Sequence, residues 1–241
     1  MKKHLPNIIT SVNVFFGSLA VIAAFQDDLT MVLWCIGVSL VADFFDGFAA
    51  RLLRVSGPMG KELDSLADMV SFGFLPGMLA YKLLLAQNIP QNGFFTFAFF
   101  GFLITVFSAV RLAKFNLDTR QTENFIGLNT PANTMFFLGL MILQKYSVGF
   151  RELMNGQPWL LFVVILIFSV LLVSELPMFS LKLKNFTWES NKYRYLLLFG
   201  ALGIFLINRV YFMSGVVVWY LVLSLVYWKE GGARPERKGG G

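Results

Sequence analysis

Apolar residues run along this chain in eight long blocks. They cover about 7–25, 30–54, 61–86, 93–114, 130–147, 159–181, 194–209 and 212–228. An α-helix that crosses a bilayer needs about 20 mainly apolar residues, and each block is close to that length. The fifth, seventh and eighth are the shortest. Polar or helix-breaking clusters separate them: Gln26-Asp27-Asp28, Ser56-Gly57-Pro58, the segment 88–93, and Asn155-Gly156-Gln157-Pro158. The pattern predicts an all-α integral membrane protein with about eight transmembrane helices. Trp159, Trp188, Tyr193, Tyr227 and Trp228 fall near predicted helix ends, where interfacial aromatics gather.

Charge gives the expected orientation. With the N-terminus inside, the inner segments collect 16 of the 20 Lys and Arg. The outer segments hold four: Lys82, Lys145, Arg151 and Arg209. This bias predicts a multi-pass protein of the cell (inner) membrane with both termini cytoplasmic. The Gly-rich, charged segment 230–241 is expected to be a flexible tail, part of which need not be native. The N-terminal Met1-Lys2-Lys3-His4 leads into the first block without a cleavage pattern, so it reads as a retained helix.

Composition agrees. Of 241 residues, 56% are hydrophobic and 14% charged, and the mean hydropathy is +0.66. Soluble domains are roughly 25% charged, so a soluble enzyme is excluded. The net charge of +6 fits contact with anionic headgroups. No aromatic-interleaved basic patch points to nucleic acid. Cys35 is the sole cysteine, which excludes an intrachain disulfide.

The informative residues are acids inside apolar blocks. Asp43, Asp46, Gly47, Ala50 and Arg51 have the spacing of one helical face, and so do Gly60, Asp64 and Asp68. The short connection around Ser56-Gly57-Pro58 makes the two helices antiparallel neighbours. Four carboxylates then converge at the cytoplasmic end of the bundle, with the active site there. Each Asp at a membrane-helix centre costs roughly 2.5–3.5 kcal/mol on insertion scales, and mutual repulsion adds to this. A divalent cation, Mg²⁺ or Mn²⁺, removes the conflict, because both prefer carboxylate and phosphate oxygens. Two such ions can bridge the acids to a diphosphate. Gly47 and Gly60 leave room beside the acids for close backbone approach, although helix packing explains either one equally well. The competing account pairs the acids with Arg51, Arg54 and Lys61. It must match four acids on two faces with three bases near helix ends.

The run Asp43-x2-Asp46-Gly47-x2-Ala50-Arg51-x8-Gly60-x3-Asp64-x3-Asp68 resembles the full signature of the CDP-alcohol phosphotransferases. All eight signature positions match with the expected gaps. The resemblance implies a membrane enzyme with a six-helix core, commonly homodimeric. Such enzymes transfer a phosphoryl-linked group from a CDP-alcohol to a second alcohol and release CMP. It assigns Asp43, Asp46 and Asp64 to metal binding, and Asp68 to the second metal and to the general base. Gly47, Ala50, Arg51 and Gly60 line or support the nucleotide pocket. The implied organisation is a core over 1–184 and two further helices over 185–229.

The segments 61–76, 108–116 and 127–133 resemble the phosphatidylserine synthase branch of that family, and the likeness extends from Pro6 to about Lys184. This implies CDP-diacylglycerol and L-serine as substrates. An Arg can clamp the serine carboxylate in bidentate fashion. Arg111 is the candidate, with Lys114 and Asn116 beside it, although Arg111 also suits an ordinary positive-inside anchor. A loop with Arg120, Gln121 and Asn124 can form a polar lid. Pro6-Asn7-x2-Thr10 resembles the family's entry motif, so Asn7 and Thr10 are candidates for the diphosphate, with helix capping as the other account. Glu175 is either an acceptor-side residue or a partner of Lys182, and His4 reads as a headgroup contact. Rival acceptors are glycerol 3-phosphate, inositol or its phosphate, and choline. A divalent-cation transporter needs a polar path through the membrane, but the outer halves of the two acidic helices are apolar.

Overall fold

The computed structural model describes residues 4–55, 57–87, 96–117, 125–181 and 187–230. The polar lid residues Arg120, Gln121 and Asn124, Lys182, and the tail beyond Glu230 lie outside them. Each of the eight apolar blocks contains a helix. The first is α1 (Leu5–Phe25), with Pro6 in its opening turn, where a missing N–H leaves nothing unsatisfied. Asp28 caps α2 (Leu29–Leu53) by accepting a hydrogen bond from the Met31 N–H at 3.0 Å. Arg54, in the left-handed region at φ 52°, ends it.

The next block is one rod from Pro58 to Leu85 with an irregular middle. It consists of α3 (Pro58–Asp68), a π-helical segment over Met69–Phe74, and α4 (Leu75–Leu85). Hydroxyls from neighbouring helices meet the carbonyls of the irregular segment. Thr105 Oγ1 donates to the Gly73 carbonyl at 3.2 Å, and Thr134 Oγ1 to that of Phe72 at 3.2 Å. Thr105 follows a 3₁₀ segment, Phe97–Phe102, at the start of α5 (Leu103–Leu117). Thr134 belongs to α6 (Thr130–Tyr146).

The remaining elements are α7 (Val148–Gly156), α8 (Trp159–Val173), α9 (Trp188–Ile207), a 3₁₀ turn over Arg209–Tyr211 and α10 (Phe212–Lys229). Among the described residues five helical stretches are long and apolar enough to cross a membrane. They are α1, α2, the α3–α4 rod, Phe97–Leu117 and Arg209–Lys229. The chain is thus an all-α, multi-pass membrane protein. α6 and α8 are shorter, at 17 and 15 residues, and α9 opens with Glu189, Lys192 and Arg194.

Two expectations need correction. The block at 159–181 stops being helical at Val173. Pro177 disfavours helical backbone at the residue before it, and Pro177–Met178 instead pairs antiparallel with Phe125–Ile126. Gly127, at φ 75°, turns the chain there, and its N–H reaches the Leu176 carbonyl at 2.8 Å. The second correction is α7, which the apolar pattern did not foresee. It lies at 96° to α8, and the break falls at Gln157-Pro158.

Small residues set the packing around the acids. α1 buries Thr10, Asn13, Gly17, Ala20, Ala23 and Ala24 along one face, and this lets α2 and the α3–α4 rod approach closely. A Cβ on Gly17 would run into Ser71 Oγ. Gly17→Leu is therefore expected to destabilise the bundle by about 1–3 kcal/mol or more, the range for overpacking. Thermal unfolding of purified protein checks this, and a wild-type midpoint would mean that the two helices are not in such contact. At the other end of α1, Lys82 Nζ donates to the Ala24 and Phe25 carbonyls at 2.8 and 2.9 Å and pairs with Asp27 at 2.6 Å. A lysine expected only as an outer-surface cation thus closes the C-terminus of α1. At the end of α10, the Tyr193 hydroxyl and Lys192 engage Glu230, and the Tyr193 hydrogen bond pulls its carboxyl below the usual range.

Candidate active site

The first turns of α1 and α3 meet the last turns of α2 and α5 at one end of the bundle. Thr10 Oγ1 donates to Asp46 Oδ2 at 2.6 Å, joining α1 to α2. A Cβ on Gly60 would sit 3.4 Å from Asn7 Oδ1, joining α1 to α3. Asn116 Nδ2 donates to Ser65 Oγ at 2.9 Å, and Lys61 Nζ donates to the Asn116 carbonyl at 2.7 Å. These bonds tie α5 to α3.

Within this frame Asp43, Asp64 and Asp68 converge. One carboxylate oxygen from each lies within 4.8 Å of the others. All three are partly buried, and Asp68 Oδ1 is buried without a hydrogen-bond partner. Among the described residues no ion pair joins any of the four acids to Arg51, Arg54 or Lys61. That removes the account in which the acids are neutralised by those bases. Hard oxygen donors this close, with an unpartnered oxygen among them, fit a divalent cation. Asp46 is not among these mutually close oxygens but interacts electrostatically with Asp43 and Asp64; it is 5% exposed and has Oδ2 engaged by Thr10.

Beside the trio lies a cleft of about 690 Å³. Asn7, Thr10, Asp46, Gly47, Ala50, Gly60 and Asp64 line it, so it gathers seven of the expected residues. Gly47 and Gly60 lack side chains where the walls must stay open. Arg51 is exposed and does not line the cleft, but its Nη1 lies 3.9 Å from where a Gly47 Cβ would be. His4, Arg54 and Lys61 also line it. Arg54 and Lys61 had been weighed only as partners for the acids, and His4 only as a headgroup contact. The sequence signal for Arg54 and Lys61 was their closeness to the acidic motif; His4 had none.

The expected acceptor-side residues separate. Arg111 is 7% exposed, interacts electrostatically with Asp68, and has an unpartnered Nε. It is therefore no surface anchor. Lys114 is exposed. Asn116 is engaged by Ser65 and Lys61, with its Oδ1 left unpartnered. Glu175 is exposed in the turn after α8. Ser108, Thr130 and Asn133 were not singled out from the sequence. All three are fully buried with unpartnered side-chain atoms. Small polar residues in apolar helices were the available signal, and it is a weak one.

Comparison with known proteins adds to this geometry. The CDP-alcohol phosphatidyltransferase family profile matches residues 3–172. A CDP-diacylglycerol–serine O-phosphatidyltransferase of Helicobacter pylori is 30% identical over 239 residues, covering 93% of this chain and 95% of the relative. One from Bacillus subtilis is 36% identical over 132 residues, covering 53% of this chain and 70% of the relative. A third, from Saccharomyces cerevisiae, is 31% identical over 169 residues, covering 64% and 59%.

Proposed function

Because the chain belongs to the CDP-alcohol phosphatidyltransferase family, we propose that it transfers the phosphatidyl group of CDP-diacylglycerol to the hydroxyl of L-serine and releases CMP. The observation that carries this reading is the convergence of Asp43, Asp64 and Asp68 beside a cleft lined by Asn7, Thr10, Gly47, Ala50 and Gly60. The choice of serine is supported by relatives named for that acceptor, matched over nearly the whole chain.

Asp43, Asp64 and Asp68 would hold a divalent cation, Mg²⁺ or Mn²⁺, and Asp46 would offer a carboxylate toward a second. When bound, the ions neutralise charge on the diphosphate and on the leaving CMP. The chain's own groups do the rest. Gly47 and Gly60 let the nucleotide lie against backbone. Thr10 holds Asp46 in place, and Asn7 faces the cleft. Arg51 and Arg54, at the end of α2, meet phosphate oxygens. Asp68 accepts the proton of the serine hydroxyl as its oxygen attacks the lipid-side phosphorus. The new O–P bond forms as the bond to CMP breaks, and CMP carries away the electron pair. Arg111, buried beside Asp68, binds the serine carboxylate; Lys114 and Asn116 support that side. Direct displacement suffices: Asp68 takes the serine proton as CMP leaves, so the transfer needs no covalent intermediate on the chain.

We place the cleft at the cytoplasmic face of the inner membrane, following the Lys and Arg distribution. The acyl chains of the donor remain in the bilayer. The six-helix core of 1–184, the added pair of helices over 185–229 and a homodimer complete this reading. The test is CMP release by purified protein with CDP-diacylglycerol, Mn²⁺ or Mg²⁺ and a panel of acceptors. Release is expected with L-serine and not with glycerol 3-phosphate, inositol or choline. Release with one of those and none with serine overturns the acceptor and leaves the family intact.

A further inference from the structure

One uncharged residue joins both helical rods that carry the acids. Asn13 of α1 is fully buried. Its Oδ1 accepts a hydrogen bond from Ser71 Oγ at 2.7 Å. Its backbone carbonyl accepts from Ser39 Oγ at 3.0 Å and from Ser71 Oγ at 3.2 Å. Ser39 belongs to α2 and Ser71 to the π-helical segment, and both are fully buried. Gly17, one turn further along α1, leaves the space that Ser71 occupies.

The level of Asn13 follows from the Thr10–Asp46 bond. α1 and α2 are antiparallel. Three residues forward from Thr10 is Asn13, and three residues back from Asp46 is Asp43. The two steps cover the same rise along the bundle, so Asn13 faces the level of Asp43. Ser71, its hydrogen-bond donor, stands three residues after Asp68. Two buried atoms at this level have no partner: the donor Asn13 Nδ2 and the acceptor Asp68 Oδ1. An unmade buried hydrogen bond is unfavourable and uncommon, so a donor and an acceptor both left open here point to a function.

We infer that Asn13 is a positioning residue for the acidic cluster: Ser71 fixes its amide, and the open Nδ2 becomes the donor to the Asp43–Asp68 carboxylates when these close on a cation. Pinning one carboxylate oxygen orients the other toward a cation, as partners behind metal ligands commonly do. The inference rests on the metal reading of the cluster. It goes beyond that reading by assigning a role to a residue outside the acidic motif.

The test uses the full-length protein in detergent and reads the Mn²⁺ concentration dependence of both CMP release and thermal stabilisation. Asn13→Leu keeps the volume and removes the donor. It is expected to raise the Mn²⁺ half-saturation at least tenfold in both readouts. The KM for CDP-diacylglycerol at saturating Mn²⁺ is expected to stay within about threefold. Ser71→Ala frees the amide to rotate and is expected to raise the half-saturation at least threefold; it carries the test if Asn13→Leu fails to fold. Ser39→Ala removes a bond to the backbone only and is expected to leave the half-saturation within twofold. An unchanged half-saturation in Asn13→Leu, or in Ser71→Ala when the former does not fold, overturns the inference. So does a shift in Ser39→Ala as large as that in Asn13→Leu, which would mean general loosening. If the wild-type protein responds to Mn²⁺ in neither readout, the metal reading itself falls, and the inference with it.

Discussion

Asp68→Asn is expected to lower CMP release by about 10²–10⁴-fold, the contribution typical of a positioned general base, while the protein stays folded. The substitution keeps the shape of the side chain. It replaces one of three carboxylates that crowd within 4.8 Å with a neutral amide, and the repulsion relieved from Asp43 and Asp64 outweighs the attraction to Arg111 that is lost. Thermal unfolding should therefore show a midpoint equal to or above wild type, alongside collapsed turnover. That opposition between stability and activity is the signature of a site whose charges conflict until substrate and ion arrive. A variant that turns over at near-normal rate removes Asp68 as the base. A variant that merely unfolds returns it to a structural role.

The second large effect concerns divalent ions. Chelation is expected to abolish CMP release, and added Mn²⁺ or Mg²⁺ to restore it. The physical reason is the same crowding seen from the ligand's side. The trio is partly buried, forms no ion pair with Arg51, Arg54 or Lys61 among the described residues, has Arg111 beside Asp68 only, and is built of hard oxygens. The diphosphate of the donor would bring still more negative charge to that place. Without a cation, binding it opposes Coulomb repulsion in a medium of low dielectric. Asp64→Asn is expected to weaken metal binding by reducing the donor set, and among the described residues it breaks no side-chain hydrogen bond of the fold. Full turnover in thoroughly chelated protein would end the metal reading, whatever the acceptor.

Much of this arrangement was legible in the sequence because two kinds of signal coincide there. Apolar block length marked the helices, and the 3.6-residue period placed Asp43, Asp46 and Gly47 on one face and Gly60, Asp64 and Asp68 on another. Periodicity shows which residues share a face, but not how far apart two faces sit. It therefore could not show that Asp46 is taken up by Thr10 while the other three acids converge. Arg111 read as equally suited to a surface anchor, since depth along a helix says nothing about which way a side chain turns. Helix ends were harder still. α8 stops at Val173 because Pro177 and the two-residue pairing with Phe125–Ile126 override an apolar run that continues. α7 escaped because a nine-residue amphipathic helix has too little apolar length to announce itself. Asn13, Thr130 and Asn133 escaped because a single small polar residue in an apolar block is common.

The π-helical segment at Met69–Phe74 sets the rotational phase of the rod that contains it. A residue contributes about 100° of turn in an α-helix, and a π-bulge accommodates an extra residue without breaking the rod. The face carrying Gly60, Asp64 and Asp68 and the face by which α4 packs into the core are therefore set independently. Removing one residue between 69 and 74 would couple them. Either the carboxylates would swing by about a quarter turn away from the cleft, or Leu75, Leu79 and Leu83 would leave their buried positions. This segment is therefore intolerant of a change in length, even though it contributes no carboxylate to the site.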